Sequence, residues 1–257
     1  MIKHNLLDQL QSLRLNGMYK ALQGQLDNPE SGAMSFEERL GLMVDRELTE
    51  RENRRLQTLL RKAKLHQSSA LIEDLDKQAP RGLDSRLMAQ LSTLQWCREH
   101  LNLIITGPTG IGKSWIGCAL GNKACREGLS TRYFRLSRLF QALQLARADG
   151  TWNKLLRELA RTDLLIIDDW GLTPITDEGR RDLLELLDDR FNIKSTLITS
   201  QLPVEHWHDY IGDSTLADAI MDRMVHNSYR LTLDGESMRK QHSALHQSSE
   251  KEGPRPE

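Results

Sequence analysis

The feature that most constrains the fold of this chain is the stretch 107–114, Gly-Pro-Thr-Gly-Ile-Gly-Lys-Ser, which fits the pattern G-x-x-x-x-G-K-[ST] at every fixed position. The apolar run Leu101–Thr106 before it is typical of a buried parallel strand, and the Ala- and Leu-rich stretch from Lys113 to about Glu127 favours a helix. Strand, glycine-rich loop and helix in this order form the context in which the pattern binds phosphates. We therefore expect an α/β fold with an anion site after this strand.

The residue types of the loop fit the binding of a nucleotide. Glycines let several amide N–H groups point at one anion, and the N-terminus of the helix adds the positive end of its dipole. The Lys113 side chain can reach the β- and γ-phosphates, and the Ser114 hydroxyl can bind Mg²⁺. The predicted nucleotide-binding residues are Gly107, Pro108, Thr109, Gly110, Ile111, Gly112, Lys113 and Ser114.

Two adjacent acids follow the aliphatic run 164–167. In open α/β sheets ligands bind at the carboxyl ends of the strands, so a buried strand that ends in Asp168 and Asp169 is expected to open into a polar site. Asp168 is the predicted Mg²⁺ ligand together with Ser114, and Asp169 is the candidate that polarises the attacking water. The alternative is that Asp169 simply begins a turn with Trp170 and Gly171.

The run 195–201, Arg223 and Arg239 each allow a functional and a purely structural interpretation. The run 195–201 ends in small polar side chains that could bind the γ-phosphate or the attacking water if it lies beside the carboxylate strand, but that could also be plain caps. Arg223 ends an otherwise apolar helix, and composition alone favours a solvent-facing residue paired with Asp222 or Asp218. Arg239 is similarly ambiguous.

Alternating strands and helices downstream of a Pro- and Gly-containing linker at 78–82 predict a parallel sheet covered on both faces. The predicted strands are Leu101–Thr106, Thr131–Arg135, Leu164–Asp168, Thr196–Thr199 and Tyr229–Leu233. The predicted helices are Lys113–Glu127, Ser137–Ala148, Trp152–Arg161, Asp177–Phe191, Val204–Ile211 and Leu216–Val225.

The first seventy or so residues are predicted to be helical. Apolar residues at helical spacing from Leu6 to Leu22 indicate one helix, which the segment 27–32 ends. Ser35 and Glu38 form a capping box that opens a long helix from Phe36 to about Leu65. The predicted domains are 1–68, helical, 69–246, the sheet domain, and 247–257, a disordered tail rich in Ser, Glu, Lys and Pro.

The second half of the long helix is basic, with seven Lys and Arg residues against three Glu residues between Arg46 and Lys64. The net charge of the whole chain is −1, so the total charge does not indicate nucleic-acid binding. The local excess of positive charge on this helix does indicate a nucleic-acid surface. The predicted DNA-binding residues are Arg51, Arg54, Arg55, Arg61, Lys62 and Lys64. The alternative is a solvated helix with internal pairs such as Glu47–Arg51 and Glu50–Arg54.

The cysteines and the hydropathy of the sequence indicate the cellular compartment of the protein. The three cysteines form no C-x-x-C pair, which favours a reducing environment. No apolar stretch approaches the length of a transmembrane helix, and residues 1–5 lack a secretory apolar core. We expect a cytoplasmic protein that does not act at a membrane.

Five motifs occur in a fixed order: Gly-Pro-Thr-Gly-Ile-Gly-Lys-Ser, Ile-Ile-Asp-Asp-Trp-Gly, Leu-Ile-Thr-Ser-Gln-Leu-Pro, Met-Asp-Arg-Met and Gly-Glu-Ser-Met-Arg. With the basic helical region 48–65, this set resembles the IstB-type transposition helper ATPases of bacterial insertion sequences, relatives of the DnaC and DnaI helicase loaders in the AAA+ class. The resemblance covers about residues 5–245. It implies a five-stranded AAA+ sheet domain preceded by a small helical domain.

The resemblance also implies an activity: an ATPase, slow and stimulated by DNA or assembly, that oligomerises on double-stranded DNA with ATP at subunit interfaces and delivers or activates a partner transposase. ATP and Mg²⁺ are then the ligands of 107–114 and Asp168. Gln201 matches the polar sensor, Arg223 the arginine finger supplied to a neighbour's ATP, and Arg239 the arginine near the second sensor. The chain departs from the pattern at Asp169, where the wider class has Glu, and at Gln201, where the loaders have Asn.

Three other functions are compatible with parts of the sequence. A helicase loader shares the fold and differs in its client. A small P-loop kinase would need an Arg-rich lid, which the segments after the carboxylate strand do not offer. A nucleotide-gated DNA clamp with little turnover is favoured by the shorter side chain of Asp169.

Overall fold

The computed structural model describes residues 2–76 and 78–238 and divides the chain into two compact units, Met1–Thr58 and Leu59–Glu257. The predicted tail, 247–257, and Arg239 lie outside the described residues. The predicted domain bounds, 1–68 and 69–246, stay a prediction.

The first unit is helical, as predicted. It contains helices α1 (Ile2–Ser12) and α2 (Asn16–Asp27), a short 3-10 helix (Pro29–Ala33) and most of α3 (Phe36–Ala63). The capping box is confirmed, because the Glu38 amide donates to Ser35 Oγ at 3.2 Å and the Ser35 amide donates to Glu38 Oε2 at 2.7 Å.

The prediction of one helix over residues 6–22 was wrong, since the chain turns between α1 and α2. The turn is a helix-ending motif in which Arg14 takes a φ of 60°. The amide of Leu15 donates to Leu10 O, and the amide of Arg14 donates to Gln11 O. Glycine usually occupies the Arg14 position of this motif, so the sequence carried no signal for the turn.

A buried carboxylate joins α2 to α3 within the first unit. Glu47 on α3 accepts from the amides of Gly17 at 2.7 Å and Met18 at 3.2 Å, which are free donors at the start of α2, and pairs with Arg51 at 2.7 Å. A Cβ at Gly17 would collide with the backbone of Glu47, so the helices meet closely here. Burial raises the pKa of Glu47, but these three bonds outweigh burial and hold it below its ordinary value.

The second unit contains the five predicted strands, each confirmed to within about two residues. They form one parallel sheet in the order β2-β3-β4-β1-β5. The strands are β1 (Asn102–Thr106), β2 (Thr131–Arg135), β3 (Leu164–Trp170), β4 (Ser195–Ser200) and β5 (Ser228–Thr232). The helices are α4 (Ser85–Ser92), α5 (Gln95–Arg98), α6 (Lys113–Arg126), α7 (Leu136–Ala148), α8 (Trp152–Arg161), α9 (Asp177–Arg190), α10 (Trp207–Ile211) and α11 (Ser214–Val225).

Helices cover both faces of the sheet. Leu103 and Ile105 of β1 belong to an apolar cluster with α4, α5 and α6, whereas Ile104 between them belongs to a cluster with α7 to α11. Strands β1 to β4 contribute to both clusters, and β1 and β3 are accordingly rich in consecutive aliphatic residues, whereas β5 contributes to the first cluster alone. Among the described residues, no helix combines the length and apolarity that crossing a membrane requires.

Candidate nucleotide-binding site

The predicted phosphate loop connects the carboxyl end of β1 to the amino end of α6. Its tight course depends on glycine: Gly107 has a φ of 148° and Gly112 a φ of 103°. A Cβ at Gly107 would collide with Leu233 O, and one at Gly112 would come within 2.7 Å of an Arg81 guanidinium nitrogen. The loop is therefore shaped by close packing against the chain after β5 and against Arg81.

The Lys113 ammonium lies inside the curl of this loop. Its Nζ donates to Gly107 O at 2.7 Å and to Pro108 O at 2.8 Å, and the residue is only 8% exposed. Buried ammonium groups need compensating partners, which the loop carbonyls supply. The positive charge thus lies at the N-terminus of α6, where the helix dipole also favours an anion.

Asp168 is the most connected polar group of the site. It is 1% exposed and accepts hydrogen bonds from three hydroxyls, Ser114 Oγ at 2.8 Å, Thr199 Oγ1 and Tyr133 OH. Burial and the bond to Asp168 raise the pKa of Tyr133 well above its ordinary value, so its hydroxyl remains a donor.

The donor set at Asp168 fits a magnesium ion. Ser114 and Asp168 supply a hydroxyl and a carboxylate oxygen side by side, which are hard oxygen ligands of the kind that Mg²⁺ prefers. Among the described residues, no group of three or more His, Cys, Asp and Glu side chains could hold a metal by itself. This agrees with an ion that takes most of its ligands from phosphates and water.

A β-bulge brings both acids to the site. Ile167 pairs with Ile198 and Trp170 pairs with Ser200, so Asp168 and Asp169 together face the single residue Thr199. Asp169 takes a φ of 62°, a left-handed conformation that is uncommon outside glycine. In a regular strand two consecutive side chains would point to opposite faces; here both carboxylates line the same cavity.

Asp169 has a different environment from Asp168. Burial, followed by the charge of Asp168, raises its pKa, while Arg135 and Lys113 oppose the rise. Arg135, at the end of β2, contacts Asp169 Oδ2 at 3.4 Å and also lies 3.1 Å from His66 Nε2. Asp169 is thus a half-exposed carboxylate that one arginine holds at the mouth of the site.

The end of β4 also reaches the loop. Because β4 lies between β1 and β3, its polar end is next to both the loop and the carboxylates, as the sensor prediction requires. Gln201 Oε1 accepts a hydrogen bond from Thr109 Oγ1 at 2.6 Å, and both residues are exposed.

These groups line a cavity of about 720 Å³, a size typical of ligand sites. The residues that sequence reasoning missed here include His66, Asp74, Asp76, Arg81, Trp115 and Met238. Arg81 is 4% exposed and donates to Ile111 O at 3.3 Å and Asp76 O at 2.8 Å. It was assigned to a linker because its neighbours are turn-forming residues; the contact with Ile111 is a tertiary one without a local signal.

Arg223 is not part of this cluster. Its carbonyl accepts from Asn102 Nδ2 at 3.0 Å, which places it near the amino end of β1, the edge of the sheet opposite to the loop. Its guanidinium pairs with Asp188 at 2.9 Å and lies 6.0 Å from the Phe191 ring. Met238, the last residue described before Arg239, donates its amide to Gly110 O at 3.0 Å.

The predicted DNA-binding residues are all exposed. Arg51, Arg54 and Arg55 lie in the first unit, and Arg61, Lys62 and Lys64 lie in the second. Of the two internal pairs considered as the alternative, Glu47–Arg51 forms, whereas Glu50 pairs instead with Lys20 at 3.0 Å.

Known proteins resemble this chain over most of its length. A family profile described as "IstB-like ATP binding protein" matches residues 8–246. A Sinorhizobium fredii protein named as an insertion sequence ATP-binding protein is 50% identical over 240 residues, which are 93% of this chain and 98% of the relative.

Solved structures show the same fold. The DnaI structure aligns with a TM-score of 0.54 and 21% identity over 70% of this chain and 92% of that chain. The DnaC helicase loader aligns with a TM-score of 0.53 and 18% identity over 64% of this chain and 96% of that chain.

The separate environments of the two acids predict separate effects of mutation. Asp169→Asn should preserve nucleotide affinity and lower hydrolysis by at least about 100-fold, the contribution typical of a general base. Asp189→Asn, an exposed change on α9, is the matched control and should lower neither. Nucleotide affinity and phosphate release are measured for each variant; lost affinity in Asp169→Asn would contradict this division of roles.

Proposed function

Because the chain belongs to the family of IstB-like ATP-binding proteins, we propose that it is a cytoplasmic ATPase whose ATP-bound form assembles on duplex DNA and brings a partner transposase to the target. The observation that carries the ATPase proposal is the bond between Ser114 Oγ and Asp168 Oδ1, beside the buried ammonium of Lys113. The names of the relatives, which refer to insertion sequences, support the proposed role in transposition.

ATP binding is assigned to the loop and Lys113. Amides at the N-terminus of α6 would bind phosphate oxygens, and Lys113 Nζ would exchange its loop carbonyls for β- and γ-phosphate oxygens. Ser114 and Asp168 would hold Mg²⁺, which when bound neutralises charge that develops on the phosphates. Tyr133 and Thr199 orient the Asp168 carboxylate through their hydroxyl bonds.

Hydrolysis is assigned to Asp169, with Gln201 beside the loop. Asp169 would accept a hydrogen bond from the attacking water and orient it. Gln201 lies within reach of Thr109 and would bind the γ-phosphate or the same water. Aspartate is one methylene shorter than glutamate, so slow turnover is expected.

The position of Arg223 supports a role between subunits. Arg223 cannot reach the loop of its own chain from the amino end of β1, so we assign it to the ATP of a neighbouring subunit. Its ion pair with Asp188 at 2.9 Å keeps it half-buried in the described chain. Hydrolysis would then depend on assembly.

A second candidate is an ATP-gated DNA clamp that hardly turns over. The Arg135–Asp169 contact at 3.4 Å favours it, because the guanidinium occupies a carboxylate oxygen that would otherwise bind the attacking water. Phosphate release measured with and without duplex DNA separates the two. Release that DNA stimulates supports the ATPase, and negligible release under both conditions supports the clamp.

The nucleotide site is tested by Lys113→Ala. Removing the ammonium aimed at the β- and γ-phosphates should abolish ATP binding or hydrolysis. The control is Lys123→Ala on the same helix, whose side chain pairs with the exposed Glu127 and should change little. Undiminished turnover in Lys113→Ala would rule out the proposed site.

The role of Arg223 in trans is tested by comparing Arg223→Ala with Asp188→Ala. Both remove the Arg223–Asp188 ion pair. Only the first also removes the 3.6 Å contact with Asp222 and the proposed finger, which typically contributes about 10³–10⁵ in rate. We expect Arg223→Ala to keep ATP affinity and lose hydrolysis on DNA, and Asp188→Ala to keep both. Equal hydrolysis in the two variants would mean that Arg223 is a structural residue.

The proposed DNA surface on α3 is tested by neutralising Arg54, Arg55 and Lys62 together. Phosphate contacts carry no sequence code, so affinity should fall alike for all duplexes, and the salt slope should flatten by up to about three units. A control variant with Arg86→Gln, Arg181→Gln and Arg230→Gln removes three exposed charges elsewhere. Unchanged affinity and slope would mean that α3 contacts subunits or transposase.

A further inference from the structure

A second concave surface lies in the Leu59–Glu257 unit, away from the nucleotide cavity. It is an open recess of about 570 Å³ between the end of α3, the start of β2 and α8. Ser130 precedes β2, Thr131 begins it, and Thr162 precedes β3, so the recess lies at the amino ends of these strands. In a parallel sheet the edge formed by the amino ends is opposite to the one that carries the phosphate loop.

The charge of this recess is strongly one-sided. Its basic lining residues are Lys62, Arg132, Lys154, Arg157 and Arg161. Its carboxylate is Glu158, which pairs with Arg132 Nη1 at 3.2 Å. Within the described chain no carboxylate lies at ion-pair distance from the other four basic residues. In a protein with a net charge of −1, such a local excess calls for an anionic partner.

Helix α8 presents three of these charges on one face. Lys154, Arg157 and Arg161 are spaced by three and four residues and are exposed, whereas Leu156 and Leu159 are buried in the core beneath. The buried side anchors the helix against the sheet. The exposed side has no apolar residue to make it a protein-docking face.

Hydrogen bonds from two arginines fix the backbone around the recess. Arg132 is held by Lys62 O at 3.3 Å and lies 5.5 Å from the Phe134 ring. Arg190, which is 1% exposed, donates to the carbonyls of Leu159 and Thr162 and so fixes the end of α8. The backbone that carries the basic side chains is therefore held in place before an anion binds.

We propose that this basic recess binds the phosphate backbone of duplex DNA, as a contact that adds cations of β2 and α8 to Lys62, the residue that the recess shares with the basic set predicted on α3. The inference rests on the proposed DNA-binding function and names the surface that the second unit contributes to it. Several phosphates at regular spacing match a row of cations on one helix face. Because the recess and the nucleotide cavity are at opposite edges of the sheet, DNA and ATP occupy the unit together.

The test neutralises Lys154, Arg157 and Arg161 together as glutamines in the full-length chain and measures affinity for several duplexes over a range of salt concentrations with ATP present. Affinity should fall at least about tenfold for every duplex, and the slope should flatten by up to about 2.7 units, since each phosphate contact contributes about 0.9. The Arg86→Gln, Arg181→Gln and Arg230→Gln variant is the matched control and should keep both.

The unfolding midpoint, the affinity and the salt slope together distinguish the ways in which the proposal can fail. Thermal unfolding midpoints within about 2 °C of the unaltered chain confirm that the exposed substitutions leave the fold intact. An unaltered chain that binds no duplex overturns the proposed function. An unaltered chain that binds, with the α8 variant binding as tightly and as salt-dependently, overturns the recess inference alone. Equal losses in the α8 variant and the control variant also overturn it, because the effect is then one of total charge.

Discussion

The carboxylate of Asp168 is the constraint on which the rest of the site depends. A carboxylate that is 1% exposed costs several kcal/mol unless its oxygens are satisfied, and three hydroxyls satisfy them here. The hydroxyls of Tyr133, Thr199 and Ser114 come from β2, β4 and the start of α6. The buried carboxylate of Asp168 is therefore satisfied only when β2, β3 and β4 are neighbours and the loop brings the start of α6 beside them.

In the parallel sheet, the residues proposed to bind ATP lie at the carboxyl ends of the strands, and the residues proposed to contact other molecules lie at the amino ends. The carboxyl edge carries the loop, both acids and Gln201, whereas the amino edge carries Arg223 and the basic recess beside α8. Under the proposed function, the arginine that completes the nucleotide cavity of one subunit comes from its neighbour. On this account assembly on DNA links the edges, because one subunit's amino edge then serves the carboxyl edge of its neighbour.

Much of this arrangement could be predicted from sequence. Short apolar runs between amphipathic helices identified all five strands, and the aliphatic run 164–167 marked the two acids that follow it in β3. The rest depends on tertiary contacts: the turn at Arg14 lacks its usual glycine, and Arg81 meets Ile111 across thirty residues. The bulge that turns Asp169 into the cavity, and the bond from Tyr133 to Asp168, arise only when β2, β3 and β4 are side by side.

The central claim is that ATP controls assembly on duplex DNA. Light scattering of the full-length chain with a duplex of defined length, in the presence of ATP, ADP or no nucleotide, measures it most directly. The account predicts a large complex of several subunits per duplex with ATP, and much smaller complexes in the other two cases. Complexes of equal mass in all three conditions, or single subunits on DNA with ATP, would contradict it.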